Sequence, residues 1–452
     1  MTSSRRQSMS LSGSWIESPL NLIKPPSTDS DQWVKDWSSV LARDLIDSRI
    51  VSVDADTSVE DACDILLSED ILCLAVKSKA TDSNGSPYLG LFDFSDVNAF
   101  LTLAATRHTY SEDLMDNPRY NEIVSAAKTG RVAVQLVSNL SEKNPLETLP
   151  HDATVLSLLE LFSRGSHRAL IHSSNSSDDF LGMVSDRGLL AWFDRYATQT
   201  PSLQKFLNNS LHSLSLPSLN IYSAVVGTTA SSTVLDAMKL MSEEGVSSVA
   251  VIDDDSGALL SAVSVTDIGK IVVPSQSKHI LSTPLHYFIS HIKEPYGSTD
   301  GADKYPVYSV SPSSQLSYTI QKLLATNAHR LFVTTESRPS SPILSSSSFG
   351  NLSGIVSIVD ILSLFARLAN IADVDPTRMQ RHRRASSTSL QSSKPERDLF
   401  LRSRSSSRTG IRRSASLILP PAIVLSESPR NSISGIEALR GMGANMSLKR
   451  ES

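Results

Sequence analysis

One stretch decides the fold most clearly: Gly354-Ile-Val-Ser-Ile-Val-Asp360, an apolar strand that runs into a turn carrying serine and aspartate. Three related stretches precede it, namely Gly90-Leu-Phe-Asp-Phe-Ser-Asp96, Gly182-Met-Val-Ser-Asp-Arg-Gly188 and Ser261-Ala-Val-Ser-Val-Thr-Asp267. Their last residues follow one another at intervals of 92, 79 and 93 positions. The first and third are therefore 171 positions apart and the second and fourth 172, which indicates a duplicated pair of repeats.

An amphipathic helix pattern precedes each stretch, because apolar residues three, four and seven positions apart bury one stripe of a helix. The four stripes are Val59, Ala62, Ile65 and Leu66; Val155, Leu158, Leu159 and Phe162; Val234, Ala237, Met238 and Met241; and Leu316, Ile320, Leu323 and Leu324. Side-chain oxygens just before each helix can accept hydrogen bonds from its first amides. These runs are Asp56-Thr57-Ser58, Asp152-Ala153-Thr154, Ser231-Ser232-Thr233 and Ser311-Pro312-Ser313.

Short apolar runs of β-type composition lie between each helix and its turn, at 72–76, 169–172, 248–252 and 331–334. The order predicts an α/β (α+β) protein of four tandem βαββα repeats, arranged as two pairs. We assign an N-terminal tail to residues 1–30 and a C-terminal tail to 373–452. The repeats are assigned to 31–105 with a preceding helix, 120–198, 218–275, and 280–372 with a Ser/Pro insert at 336–351.

Composition separates the tails from the repeats. The tails are rich in serine, arginine and proline and lack the apolar surface that offsets chain entropy, so we expect them to be disordered. From Arg381 onward, 14 basic residues face 5 acidic ones, whereas the whole chain has a net charge of -5. The two cysteines, Cys63 and Cys73, lie in apolar patterns and are predicted to be core residues rather than a disulfide. We expect no secretion signal and no membrane span.

The turns of the third and fourth repeats resemble the end of the cystathionine-β-synthase-type (CBS) domain: a small residue, two apolar residues, Ser or Thr, two further residues, then Asp. In that family two copies form a Bateman module, and two modules form a disk in the gamma subunit of AMP-activated kinase. Residues 14–372, with Trp15-Ile-Glu-Ser-Pro-Leu-Asn-Leu-Ile-Lys-Pro-Pro26 and the Trp33/Trp37 helix, resemble the fungal Sds/Moc regulators more narrowly.

The narrower resemblance implies a non-catalytic regulator that binds and inhibits a type 2A-like serine/threonine phosphatase. Such a regulator would act in cell-cycle, stress and nutrient (glucose-limitation) control, affecting mitotic progression, DNA replication and cell separation, in cytoplasm and nucleus. The alternative is an adenine-nucleotide-sensing CBS adaptor or scaffold. The sequence contains no phosphate loop, nucleophile elbow or kinase signature, so we expect no enzyme activity. We expect no required cofactor, but AMP, ADP or ATP as a regulatory ligand.

In CBS modules the turn binds the nucleotide: the aspartate accepts from ribose hydroxyls, the Ser or Thr reaches a phosphate or base edge, and basic residues balance the phosphate charge. Repeat four fits best, and repeats two and three fit in part. The candidate residues are His329, Arg330, Ser357 and Asp360 in repeat four; His167 and Arg168 in repeat two; and Ser264, Thr266 and Asp267 in repeat three.

Each of the other repeats departs from the pattern. Gly188 replaces the acidic residue in repeat two, although pseudo-symmetry would let His167-Arg168 and His329-Arg330 share one central ligand. Repeat three has Ser247 and Ser248 in place of the basic pair. In repeat one Asp93 takes the hydroxyl position, and two carboxylates with Asp96 would repel a phosphate. A turn aspartate can also be an ordinary helix N-cap, and a His-Arg pair can be a surface pair.

The remaining histidines show no metal-ligand spacing, so the sequence predicts no metal site. Basic residues three positions before Ser8, Ser386 and Ser416, and proline after Ser428, predict phosphorylation by basophilic and proline-directed kinases. The apolar run 417–425 is either a docking peptide or an unstructured stretch. We expect neither a membrane nor nucleic acid as a partner, and homo-oligomerisation stays open.

Overall fold

The computed structural model describes residues 23–78, 86–106, 117–174, 179–214, 216, 225–273, 279–293, 309–334, 352–374 and 376. Most of the two predicted tails and the predicted insert at 336–351 lie outside these residues. The strands on either side of the insert end at Thr334 and begin at Leu352.

Each repeat forms a three-stranded sheet in which the middle strand is parallel to the first strand and antiparallel to the third. The strands are β1 Ser52–Val53, β2 Cys73–Lys77, β3 Tyr88–Asp93, β4 Thr148–Leu149, β5 Arg168–His172, β6 Phe180–Ser185, β7 Gly227–Thr229, β8 Ser248–Ile252, β9 Leu259–Ser264, β10 Ser309–Val310, β11 Arg330–Thr334 and β12 Leu352–Ser357. A helix makes the parallel crossover in every repeat, because parallel neighbours cannot be joined by a tight turn. The four predicted βαββα units are confirmed.

The first helix of each repeat begins where the periodicity predicts. These helices are Val59–Ser68, Val155–Phe162, Val234–Glu244 and Leu316–Ala325. Ser58 caps the first by accepting from the amide of Asp61 at 3.0 Å, and Thr233 caps the third by accepting from Asp236 at 3.2 Å. The cap predicted for the fourth is wrong, since its N-cap is Gln315, which makes no side-chain cap.

The second helix of each repeat starts at the turn that closes the sheet. These helices are Phe94–Thr106, Asp186–Gln199, Val265–Asp267 continued by a π-helical turn at Ile268–Val272, and Ile358–Leu368. The remaining helices are Ser27–Ser39, Pro118–Thr129, Val134–Val137, Pro201–Leu207 and Leu285–Lys293, with short 3-10 turns at Ala42–Leu45, Leu211–Ser213 and Ile280–Ser282.

The four repeats pack two by two. Helices of repeats one and three share one large core and helices of repeats two and four share the other, while smaller clusters join sheet one to sheet two and sheet three to sheet four. Polar contacts cross the helix interfaces as well: Asn98 donates to the carbonyl of Met238 at 3.1 Å, and Ser363 donates to that of Ser163 at 3.3 Å. This closed arrangement gives every repeat a sheet neighbour and a helix neighbour.

The segments between repeats pack away from the repeat that follows them. Ile123 and Val134, which precede sheet two, belong to the core of repeats one and three. Leu285 and Phe288, which precede sheet four, belong to the same core. The domain ranges assigned from the sequence stay a prediction. These segments lie in the ranges assigned to repeats two and four, but they pack in the core of repeats one and three.

The N-terminal helix Ser27–Ser39 packs on repeats two and four. Trp37 is fully buried and meets the rings of Phe193 and Phe365 edge-on, at centroid distances of 5.0 and 6.0 Å. Trp33 is buried as well, and its indole N–H donates to Ser202 at 2.9 Å. The cysteine prediction is also confirmed, since Cys63 and Cys73 are buried and free.

Candidate functional site

The predicted turn residues of repeats three and four form capping boxes at the start of the second helices. The N–H and Oγ–H of Ser357 both donate to Oδ2 of Asp360, at 2.8 and 2.6 Å, and the Asp360 N–H donates back to Ser357 Oγ at 3.1 Å. Ser264 and Asp267 repeat this arrangement at 2.8, 2.7 and 3.2 Å. The serine is the N-cap and the aspartate the third helical residue, so the capping alternative holds with these roles. One carboxylate oxygen of each aspartate is therefore used locally.

Repeat two replaces the missing acidic residue with one from a distant segment. The N–H of Ser185 donates to Oδ2 of Asp47 at 3.3 Å, and the Ser185 hydroxyl donates to the same oxygen. Ser185 in turn accepts from the amide of Gly188 at 3.0 Å. A Cβ on Gly188 would lie 2.2 Å from Oδ2 of Asp47, so the glycine leaves the space that this carboxylate fills. The sequence analysis missed Asp47, because it comes from the segment before sheet one.

Repeat one, which is predicted to be a poor nucleotide site, encloses its turn aspartate. Asp96 is fully buried and accepts from the backbone amides of Ser141, Asn139 and Asp93, at 2.8, 3.2 and 3.3 Å. Burial and the neighbouring Asp93 carboxylate raise the pKa of Asp96 to about 8, so it is mostly protonated at neutral pH. The repulsion of a phosphate by the two carboxylates stays a prediction, and backbone groups close over Asp96.

The sheet register brings the basic residues to the turns. Arg168 pairs with Ser185 across β5 and β6, and Arg330 pairs with Ser357 across β11 and β12. The preceding residues, His167 and His329, therefore lie beside the start of the second helices. The backbone confirms this: the carbonyl of His167 accepts from the amide of Asp186 at 3.0 Å, and that of His329 accepts from Ile358 at 3.1 Å.

The two histidines meet at one point between repeats two and four, as pseudo-symmetry predicts. Their ring centroids are 5.6 Å apart and the rings meet edge to face. Asp186, buried and 1% exposed, lies between them: its Oδ2 is 2.8 Å from Nδ1 of His167 and 4.0 Å from Nδ1 of His329. The sequence analysis did not name Asp186, since nothing in one repeat marks the residue that faces the other.

The arginines do not join the histidines. Arg168 lies against Asp93 of repeat one, with 3.7 Å between Nη1 and Oδ2, and Arg330 donates to the hydroxyl of Ser247 in repeat three at 3.1 Å. Each arginine thus contacts the other repeat of its own sheet pair. The sequence-based picture of two His-Arg pairs facing one opening is corrected: the histidines converge and the arginines diverge.

Electrostatics of this centre follow from burial and from its mixed charges. Burial lowers the pKa of His329 to about 4 despite the attraction of Asp186, so the imidazole is neutral at neutral pH. Burial alone would raise the pKa of Asp186, but His167, His329 and Arg168 together lower it below the usual range. Burial also lowers the pKa of the Arg330 guanidinium, against the opposing effect of Asp360.

Two atoms of this region are buried without a hydrogen-bond partner among the residues that the structure describes. They are Nδ1 of His329 and Nε of Arg330. Buried polar atoms in native proteins are nearly always satisfied, so unpaired ones point to a water, an ion or a ligand. Thr266, the remaining candidate, is half-buried in the first turn of its helix. The predicted phosphorylation sites and the apolar run 417–425 lie outside the described residues.

Two of the four repeats match a known domain family. The CBS domain family matches residues 42–102 and 223–273, which hold repeats one and three. Protein SDS23 of Yarrowia lipolytica is 30% identical over 371 residues, covering 78% of this chain and 72% of that protein. The chain belongs to the Sds23 family.

Other Sds23 relatives are longer than the region they share with this chain. Protein sds23 of Aspergillus niger is 30% identical over 339 residues, 74% of this chain and 65% of the relative. For the Neosartorya fischeri protein, also 30% identical, the figures are 68% and 55%. The chain thus spans less than two thirds of the length of these two relatives.

Among solved structures, protein MJ1225 from Methanocaldococcus jannaschii aligns over 72% of this Sds23-family chain and 100% of its own length. The TM-score is 0.49 and the sequence identity 15%. None of the helices within the described residues combines the length and apolar character that a membrane crossing requires.

Proposed function

We propose that this Sds23-family protein is a non-catalytic regulator that binds and inhibits a type 2A-like serine/threonine phosphatase. The observation that carries the proposal is the family membership, at 30% identity over 72% of the Yarrowia lipolytica relative. The regulator would serve cell-cycle, stress and nutrient control, including glucose limitation, and affect mitotic progression, DNA replication and cell separation. Its compartments would be the cytoplasm and the nucleus.

The use of the turn residues supports binding rather than catalysis. In repeats three and four the serine and the aspartate hydrogen-bond each other and cap the helix, so both side chains already serve a structural role. The rest of each repeat contributes to two large apolar cores. A partner would therefore be held by the outer surface or by the tails, where Ser8, Ser386, Ser416 and Ser428 are the proposed sites of regulation by basophilic and proline-directed kinases.

Co-purification tests the proposal. The tagged full chain is expected to recover a type 2A-like catalytic or scaffold subunit from a fungal extract, identified by mass spectrometry. The same bait without residues 373–452 separates a contribution of the tail from one of the repeats. Recovery of no phosphatase subunit with either bait would refute the proposal.

A second candidate function is adenine-nucleotide sensing, and one observation favours it: the buried guanidinium of Arg330 has an unpaired Nε beside the turn of Ser357 and Asp360. A phosphate could accept from this group, and CBS domains can bind adenine nucleotides. A nucleotide bound there would contact repeats three and four and could bias a partner surface if it prefers one conformation.

Calorimetry with AMP, ADP and ATP at millimolar concentrations tests this candidate. We expect binding that is abolished by Arg330→Ala combined with Asp360→Asn and that is unchanged in Arg195→Ala, which removes an exposed arginine instead. Asparagine keeps the size of the buried Asp360 side chain and removes its charge. Absence of heat with the unmodified protein would eliminate the nucleotide sensor.

A further inference from the structure

The cluster at the centre of the repeats has a composition that neither the fold nor the capping boxes require. His167, Asp186 and His329 each offer one ligand atom, and these three atoms lie within 4.8 Å of one another. Two of the residues come from repeat two and one from repeat four, 162 positions after His167 in the sequence. Linear spacing could not have revealed the cluster, which explains why the sequence predicts no metal site.

We propose that His167, Asp186 and His329 bind a divalent transition-metal ion, with zinc as the best match. Two imidazole nitrogens and one carboxylate oxygen form a donor set that zinc takes in many proteins, with bonds of about 2.0–2.2 Å. Tetrahedral geometry with such bonds separates the ligand atoms by roughly 3.3 Å.

The observed separations bracket this distance. Oδ2 of Asp186 lies 2.8 Å from Nδ1 of His167 and 4.0 Å from Nδ1 of His329. A zinc ion would require the first separation to lengthen by about 0.5 Å and the second to shorten by about 0.7 Å, with the two imidazole nitrogens, at most 4.8 Å apart, brought to the same spacing. A metal would replace the hydrogen bond between His167 and Asp186 and would satisfy Nδ1 of His329, which is buried without a hydrogen-bond partner in the described part of the chain.

The hydrogen bonding around Asp186 suits a metal ligand. Its Oδ1 accepts from the backbone amide of Arg187 at 2.8 Å, which fixes the carboxylate and directs Oδ2 to the histidines. The side chains of His167 and His329 are 27% and 36% exposed, so solvent reaches one side of the cluster. Three protein ligands and one open position are the arrangement of zinc sites that exchange water or an anion.

The neighbouring positive charges oppose a cation, but both are engaged elsewhere. Arg168 lies 3.7 Å from the carboxylate of Asp93, and Arg330 donates to Ser247. The proposed ion would also tie repeat two to repeat four, so its loading should raise the melting temperature of the protein. None of this depends on the proposed phosphatase partner or on a nucleotide.

Metal titration of the chelator-stripped full chain tests the site. We expect zinc to bind with one-to-one stoichiometry by calorimetry and cobalt(II) to give the visible absorption of a low-coordinate nitrogen–oxygen site, both without added nucleotide. His329→Ala and the more conservative His329→Gln should weaken binding at least about tenfold. His212→Ala is the matched control, because His212 is exposed and its Nδ1 lies 3.0 Å from the carbonyl oxygen of Pro312, away from the cluster.

The outcomes are distinct. Equal zinc affinity in the unmodified protein, His329→Gln and His212→Ala would place the ion elsewhere and overturn the proposal, as would absence of a cobalt spectrum. Circular dichroism of each variant shows whether a lost site reflects lost folding, and Asp186→Asn adds a second ligand test. A folded His329→Gln that no longer gains thermal stability from zinc would support the site.

Discussion

In repeat two, Asp47 takes the place of the acidic residue that is missing at position 188. This role can be tested by removing the carboxylate at position 47 and introducing one at position 188. Asp47→Ala removes a carboxylate that accepts from the N–H and the hydroxyl of Ser185. Loss of a helix cap lowers the free energy of unfolding by about 1 kcal/mol, and Asp47 is an exposed cap of this kind. Its backbone bond to Met183 is unaffected.

Gly188→Asp alone should also destabilise the protein. Its Cβ would lie 2.2 Å from Oδ2 and 2.9 Å from Cγ of Asp47, so the exposed segment must move and two carboxylates must share one place. Overpacking of this kind costs about 1–3 kcal/mol. In the Asp47→Ala background the two shortest contacts are gone while the Cβ of residue 47 stays at 3.3 Å, and the new carboxylate occupies the position that Asp267 and Asp360 hold in their own repeats. The double variant should therefore lie within about 1 kcal/mol of the unmodified protein.

The assay is a double-mutant cycle on the free energy of unfolding, measured by urea denaturation and supported by melting temperatures. The expected coupling is favourable and about 2 kcal/mol, because each single change creates a fault that the other repairs. Asp31→Ala, on an exposed part of the N-terminal helix, controls for loss of a surface carboxylate. Additive effects of Asp47→Ala and Gly188→Asp would refute the idea that Asp47 supplies the missing group.

Three further predictions follow from buried contacts. The contribution of Asp96 to stability should fall as pH rises from about 4 to about 8, because folded Asp96 retains a proton that the unfolded chain loses; in thermal melts the unmodified protein should lose stability relative to Asp96→Asn over this range, and a constant difference between the two would contradict this. Gly269→Ala should lower the free energy of unfolding by about 1–3 kcal/mol, because its Cβ would lie 2.0 Å from the Phe94 ring at the interface of repeats one and three. Denaturant unfolding measures this loss, and an unchanged unfolding midpoint would show that the interface can open. Trp37→Ala should cost about 3–5 kcal/mol, far more than Trp192→Ala at a half-buried site, and equal losses would argue against the docked N-terminal helix.

Periodicity was sufficient to predict the repeats. The helix stripes and the strand-turn stretches recur at nearly equal offsets, and all four sheets form with the same order and register. Each helix stripe is mostly buried. Apolar residues spaced three, four and seven positions apart lie on one face of a helix, and that face packs against the core. The 171- and 172-residue offsets also indicated that the four repeats are a duplicated pair.

Apart from the meeting of His167 and His329, contacts between repeats could not be predicted from one sequence, because they depend on how the pairs pack. Asp47 reaches Ser185 across 138 positions, and Arg330 reaches Ser247 across 83. The pattern within one repeat marked Gly188 as a loss, whereas the three-dimensional fold shows it as space for another residue. Candidate residues were thus predicted by type, and their partners were not.

Direct titration of phosphatase activity tests the central claim most directly. A purified type 2A-like catalytic subunit is assayed on a phosphopeptide with increasing amounts of the purified full-length chain. The account predicts that activity falls with the added chain and reaches a floor near equimolar amounts. Activity that stays constant at a large molar excess, with a chain that is folded by circular dichroism, would contradict it.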